Sequence, residues 1–362
     1  MSSALAGLAT AVSDRVAAAL EERTVAVADV GEPLTDLLAP ARALLAGGKR
    51  LRPQLCGAGW LAAGGTDVRA PAVVLAGSAL ELFQAAALVH DDVMDDSLVR
   101  RGVPAAHRAF AATHRDRGWL GDPDQHGLAG AIVLGDVLLA FSAAEMHDAA
   151  AAAEPASGAR AHRVYDAMTA EVAIGQYLDV RSQALPWPRA GDGGAVDRAL
   201  QVVRHKSARY SVEHPLVLGA LLGGAGSRLL DQLRAIGLPL GEAFQLRDDV
   251  LGVFGDPSVT GKPAGDDLRE GKRTVLLAMT LDRADEDGRA LIRDRIGAPD
   301  LGAEDVAGLQ QLMRDTGAVA AHEELIDARL AAGLRALEEA RLPVGATDQL
   351  RGLADALVRR DA

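Results

Sequence analysis

The chain has 362 residues, 49% of them hydrophobic and 24% charged, which is enough apolar material for a large core. Its formal net charge of −12 argues against nucleic acid or an anionic membrane as the main partner, while leaving room for a local basic pocket. The one cysteine, Cys56, rules out an internal disulfide and a multi-cysteine zinc site and fits a reducing cytoplasm.

Along the chain, apolar residues recur at helical spacing, alanine and leucine dominate, and β-branched alternation is almost absent, which predicts an all-α protein. The predicted helices are 3–30, 34–47, 51–64, 70–97, 104–115, 126–150, 158–183, 194–208, 211–224, 227–254, 273–284, 287–296, 303–316, 318–340 and 346–360. Breakers such as "AGGKRLRP", "RRGVPA", "LPWPRAGDGG" and "GDPSVTGKPAGDDLREGKR" fall between them. The opening "MSSALAGLATAVSDRVAAALEER" carries acids and bases where a signal peptide would be apolar. The most membrane-like run, "GLAGAIVLGDVLLAFSAAEM", has Asp136 at its centre and reads as a buried helix with Asp136 as a structural partner. No repeat, linker or hinge breaks the pattern. The expectation is one helical domain over 1–362, soluble and cytoplasmic, without stable membrane insertion or nucleic-acid binding.

The apolar run "LFQAAALV" ends in "HDDVMDD", four aspartates in seven residues. On a helix Asp91 and Asp95 share one face, one turn apart, and Asp92 and Asp96 form a second such pair. Carboxylates so spaced can hold a hard divalent cation that also bridges to phosphate; a solvated acidic helix end fits the motif equally well. A second pair, Asp248 and Asp249, ends another apolar run in "FQLRDDVLGVFGDPSVTGKP", far away in sequence. Two helices each delivering adjacent aspartates to a terminus favour two walls of one metal site.

Basic residues collect beside glycine and beside the acids. "GGKRLRP" holds Lys49, Arg50 and Arg52, "RRG" holds Arg100 and Arg101, "HKSARY" holds Lys206 and Arg209, and "TGKP" holds Lys262. Any one run also fits a solvated face. Together, acid, base and glycine are what a Mg²⁺–diphosphate site requires, with carboxylates on the metal and Arg and Lys on the remaining phosphate oxygens. There is no H-E-x-x-H pattern and no G-x-S-x-G elbow, and no glycine-rich loop sits between a strand and a helix.

These motifs, in the order "GGKRLRP", "HDDVMDDSLVRRG", "GLAGAIVLGD", "EVAIGQYLD", "HKSARYSVEHP" and "FQLRDDVLGVFGDPSVTGKPAGDDLREGKRT", resemble the trans-type isoprenyl diphosphate synthases of the polyprenyl synthetase family, those making geranylgeranyl diphosphate most of all. The resemblance implies an all-α bundle around a deep central cavity, a homodimer, and head-to-tail condensation of isopentenyl diphosphate with an allylic diphosphate. It implies Asp91, Asp95 and Asp248 as metal ligands, supported by Asp92 and Asp249, for three Mg²⁺ ions that Mn²⁺ can replace. Arg100, Lys206 and Lys262, with Gln245, would grip the allylic diphosphate, and Gln176 and Asp179 would wall its head group. Lys49, Arg52, Gln84 and Arg101, assisted by Arg50, would hold isopentenyl diphosphate. One departure stands out: the second motif of the family reads Asp-Asp-x-x-Asp, and here its last position is Gly252.

Helical geometry bears on product length. Going back from Asp91, Ala87 lies one turn below and Phe83 about 12 Å below, only about 40° apart around the helix. Ala86 and Ala87 are small where farnesyl-forming relatives carry an aromatic, so a growing tail passes C15. Phe83 is the first bulky side chain on that face and suggests a floor and a C20 product, although it also fits ordinary core packing. Two alternatives remain, a class I terpene cyclase of the same fold and a non-catalytic partner subunit. The "GGKRLRP" site and the retention of both acidic motifs count against them.

Overall fold

Alanine- and leucine-rich segments form helices over almost all of the described residues, which in the computed structural model are 3–188, 194–256 and 264–358, with side chains from Leu5 onward. The predicted site residue Lys262 and the end of the predicted helix 346–360 lie outside them. In chain order come α1 (Ser3–Glu22), α2 (Glu32–Leu45), α3 (Leu51–Ala62), α4 (Pro71–Met94), a hairpin of β1 (Val99–Arg100) and β2 (Val103–Pro104), α5 (Ala106–Asp116), α6 (Pro123–Ala151) and α7 (Pro155–Ala184). Then follow α8 (Ala195–Val202), a π-helical segment (Val203–Glu213), α9 (His214–Leu222), α10 (Ser227–Phe254), α11 (Asp266–Arg269), α12 (Val275–Arg283), α13 (Glu286–Arg295), α14 (Ala303–Asp315), α15 (Ala318–Ala340) and α16 (Val344–Val358). The all-α expectation holds.

Three local departures have physical causes. The helix predicted over 3–30 stops at Glu22 and gives way to a 3₁₀ turn, Val25–Val30, whose valines are mostly exposed. "RRGVP" makes a two-residue hairpin turn because Arg101 (φ 53°) and Gly102 (φ 78°) both take left-handed backbone. The break expected between 208 and 211 is absent, since the π segment carries the helix through.

The contacts divide the chain into two compact units. The first comprises residues up to Asp166, Pro215–Leu233 and Leu342–Leu350. Its centre is α4, opened by Pro71 at its first turn and packed against α1, α3, α5 and α6. Leu80, Leu82, Leu134 and Leu138 are fully buried there. α3 and α9 cross with backbones almost touching: a Cβ on Gly219 would lie 1.7 Å from the Cys56 carbonyl oxygen, and one on Gly59 would lie 2.0 Å from that of Leu216. By length and composition α4 and α6 could each cross a bilayer, but α4 is mostly interior to this unit. Asp136 is not the buried partner the sequence suggested. Its side chain is 68% exposed on α6, 3.6 Å from His90 Nε2, because the helix turns that position outward between buried Leu134 and Leu138.

The second unit comprises Ala167–His214, Arg234–Arg341 and the residues from Arg351. Val253, Leu268, Leu276, Leu277, Ile292, Val306, Leu309 and Met313 form its apolar cluster. Its π segment is hemmed in by glycines. A Cβ on Gly175 of α7 would come within 2.4 Å of the Lys206 nitrogen, and one on Gly241 of α10 within 2.2 Å of the Ala208 oxygen. Small residues at these positions let three backbones approach.

Candidate active site

In the first unit, α4 ends by placing Asp95 at its C-cap and turning the chain out at Asp96, which has φ 52°. Asp91 is 16% exposed and Asp92 2%. The β-hairpin immediately beyond returns Arg100 onto them. Arg100 donates from Nε to Asp92 Oδ1 at 2.8 Å and from Nη2 to the same oxygen, and its Nη2 lies 3.6 Å from Asp91 Oδ2. Asp96 is turned away, exposed and paired with Arg108 at 2.6 Å. The first acidic motif is therefore split: Asp91 and Asp92 face Arg100, and Asp96 faces the surface.

The "GGKRLRP" loop lies in the same unit. Arg50, with φ 49°, caps α3 and buries its guanidinium against Glu81 of α4 (2.6 Å), Ser13 and the Leu45 carbonyl. It braces the loop from inside. Gln54 donates to the Lys49 carbonyl at 2.7 Å, while Lys49 itself is exposed and Gln84 is half-buried. Arg101 lies partly in solvent, but its guanidinium tucks under the loop, donating to the carbonyls of Leu44 at 3.0 Å and Gly47 at 3.3 Å. Burial lowers the Arg101 pKa, Glu81 opposes this, and neighbouring Arg50, Arg52 and Arg100 lower it further. Arg101 thus feels the charge of three other guanidiniums, of which Arg50 is paired with Glu81 and Arg100 with Asp92, and such a concentration of cations suits a polyanion.

The second unit holds the other motif residues. Lys206 Nζ donates to Asp179 Oδ2 at 2.6 Å from the middle of the π segment. Next to it Ser207 donates to Gln245 Oε1, and Gln245 Nε2 donates to Asp249 Oδ1 at 3.0 Å. One chain of hydrogen bonds links the Lys206 segment to the second acidic pair. Glu171, which the sequence reading missed, is the hub beneath: it accepts from Arg209 (2.7 Å) and bonds His205 (2.6 Å) and His214 (3.0 Å).

Asp249 is 4% exposed, and no hydrogen bond of good geometry reaches its buried Oδ2. Burial pushes its pKa up to about 8, with Asp267 and Asp248 adding like-charge repulsion that the Gln245 hydrogen bond and the Val275 backbone N–H only partly offset. Concentrated carboxylates of this kind fit a hard divalent cation. Among the described residues no three such side chains are drawn together into a preformed metal cage.

Of the proposed chain-length residues, Ala86 is fully buried and Ala87 half-buried, and Phe83 is 4% exposed. Phe83 meets Tyr165 edge to face at 6.3 Å, and the Tyr165 hydroxyl is tied to Ser142, which donates to the Ala79 carbonyl at 2.5 Å. Phe83 is backed by a hydrogen-bonded aromatic. An apolar groove of about 790 Å³ runs beside Val89, Asp92, Arg100, Val103 and Phe110, on a different side of α4 from Ala87 and Phe83.

An all-α fold with two Asp-Asp motifs and clustered guanidiniums defines a diphosphate-handling, metal-dependent class of enzyme. The polyprenyl synthetase pattern matches residues 35–314, and the chain belongs to that family of prenyltransferases. It is 35% identical over 277 residues to geranylfarnesyl diphosphate synthase of Aeropyrum pernix, covering 76% of this chain and 78% of that protein. To geranylgeranyl diphosphate synthase of Saccharolobus solfataricus it is 29% identical over 269 residues, 74% of this chain and 73% of that one. The crystal structure of geranylgeranyl pyrophosphate synthase from Corynebacterium glutamicum, complexed with isoprenyl diphosphate and magnesium, superposes with a TM-score of 0.91 at 39% identity, covering 98% and 99% of the two chains.

Proposed function

We propose that this chain condenses isopentenyl diphosphate head to tail with an allylic diphosphate (dimethylallyl, geranyl or farnesyl) and releases pyrophosphate and a trans-polyprenyl diphosphate of C20 or longer. The observation that carries this reading is Arg101, which donates to carbonyls of the Lys49 loop and is near enough to Arg50 and Arg52 for their charge to lower its pKa, while Arg100 is turned onto Asp92. A cyclase handles one diphosphate, and the acidic motifs with Arg100 and Lys206 suffice for it. A second anion site has a use only where a second diphosphate substrate binds.

The residues divide the work. Asp91, Asp95 and Asp248, with Asp92 and Asp249, would hold Mg²⁺, which when bound neutralises charge on the departing diphosphate. Arg100 and Lys206 would donate to the same diphosphate as the bond from C1 to oxygen breaks. Asp92 and Asp179 hold these two cations in place, so their orientation is set in advance. Lys49, Arg52 and Arg101 would hold isopentenyl diphosphate so that its double bond attacks C1. The proton lost from the adduct goes to the leaving pyrophosphate, so no protein base is required. Lys262 and Gln176 are assigned to the allylic site by the family resemblance alone. Gln84 is assigned on the same ground to the isopentenyl diphosphate site.

We further propose a cytoplasmic homodimer. α6 is highly apolar yet only 33% of its most apolar window is buried, with Ile132 and Val133 exposed. The exposed Asp136 among them penalises lipid as the covering phase and favours a second copy. The whole reading is tested by incubating the purified chain with labelled isopentenyl diphosphate, Mg²⁺ and each short allylic primer. A C20 or longer diphosphate is expected. Hydrocarbon from geranylgeranyl diphosphate and Mg²⁺ alone would favour a cyclase, and an inert chain would favour a partner subunit.

A further inference from the structure

We infer that Asp267 supplies the third carboxylate of the second acidic motif, reaching it from a segment beyond the motif's own helix. This rests on the prenyltransferase reading above.

Position 252 stands four residues after Asp248 and three after Asp249 on α10, so a carboxylate borne there would share their face of the helix. The sequence supplies Gly252 instead. A Cβ built on Gly252 would lie 2.0 Å from Asp267 Oδ2 and 2.4 Å from its Cγ. The carboxylate of Asp267 therefore fills the volume that a side chain at 252 would take, and only glycine leaves room for it. The loss of the helix-borne acid and the arrival of the other are one steric fact.

Asp267 is also held in a defined orientation. Lys272 Nζ lies 3.7 Å from its Oδ1 and 2.5 Å from Glu270, and Oδ2 is the oxygen nearer the Gly252 Cβ position, 2.0 Å against 3.0 Å for Oδ1. The Lys272 amide donates to the Asp267 carbonyl at 3.0 Å. Leu268 anchors the segment in the core beside Val306 and Leu309. Just before it Gly265, at φ +74°, packs so close to Val306 that a Cβ would sit 2.6 Å from Val306 Cγ1. A rigid backing of this kind is what a positioned ligand requires. An independent sign of a cation is the Asp249 carboxylate, 4% exposed, whose Oδ2 receives no hydrogen bond of good geometry and whose charged neighbours are Asp267 and Asp248.

The test is Mn²⁺ binding to the full chain with inorganic pyrophosphate, followed by loss of the free-ion paramagnetic resonance signal. Asp267→Asn keeps the shape and removes the charge, and is expected to weaken Mn²⁺ binding about tenfold or more. Gly252→Asp combined with Asp267→Gly moves the carboxylate onto the helix and is expected to restore most of the loss. Circular dichroism establishes that each variant is folded, and Asp267→Asn decides the matter if the double variant is not. Wild-type Mn²⁺ affinity in Asp267→Asn overturns the assignment, as does a folded double variant no better than Asp267→Gly alone. A product assay on the wild type separates the two readings. A chain that makes prenyl product while Asp267→Asn binds Mn²⁺ normally refutes only the Asp267 assignment. A chain that makes none, with Asp267-dependent Mn²⁺ binding, refutes only the function.

Discussion

Replacing Glu171 by Gln tests whether the π segment carrying Lys206 is held electrostatically. Glu171 bonds His205, Arg209 and His214, all within or just after that segment, and its side chain is only 20% exposed. Desolvation alone would raise its pKa, but hydrogen bonds from His214, His205 and Arg209 win, and it falls from 4.5 to about 2. A depressed carboxylate contributes stability that is fully present above its unfolded value and is lost as pH falls through its folded value. A shift from 4.5 to about 2 corresponds to about 3 kcal/mol at neutral pH. Glu171→Gln should therefore lower unfolding stability by about that amount at pH 7, read as a drop in urea midpoint at unchanged slope. The gap should stay constant down to about pH 4.5 and shrink progressively below it. A gap that is absent at pH 7, or that persists unchanged in acid, would refute the reasoning.

Asp91→Ala and Asp248→Ala should each lower kcat by orders of magnitude with the fold intact by circular dichroism, and near-normal turnover at ordinary Mg²⁺ would remove them from the metal set. Arg52→Ala should raise KM for isopentenyl diphosphate more than for the allylic primer, and Lys206→Ala the reverse. Equal effects on both substrates in steady-state kinetics would mean that the clusters are not two sites. Phe83→Ala should lengthen the product and Ala87→Phe should shorten it toward C15, as read by chromatography of the dephosphorylated alcohols. An unchanged product from folded, active Phe83→Ala would shift attention to the groove past Val89 and Phe110.

How far the sequence reveals the molecule depends on whether a feature is local. The helices follow from a period of apolar residues, and the acidic motifs from spacing on a single helix, so both can be read directly. The π segment cannot, because its course depends on Gly175 and Gly241 lying on other helices, and nothing in "HKSARY" announces them. The basic run "KRLR" shows the same limit in its charges. Its three basic letters look equivalent, yet Lys49 is exposed while Arg50 is buried on Glu81, an acid in the apolar middle of α4. A buried guanidinium left without its carboxylate is strongly unfavourable, so Arg50 depends on Glu81 although the sequence separates them. Gly252 carries the argument furthest. Seen alone it is a defect in an acidic motif, and it invites doubt about metal affinity. Seen with Asp267 in the space above it, the missing carboxylate becomes a relocated one. A motif on one helix records which charges a site needs; it does not record which segment brings them.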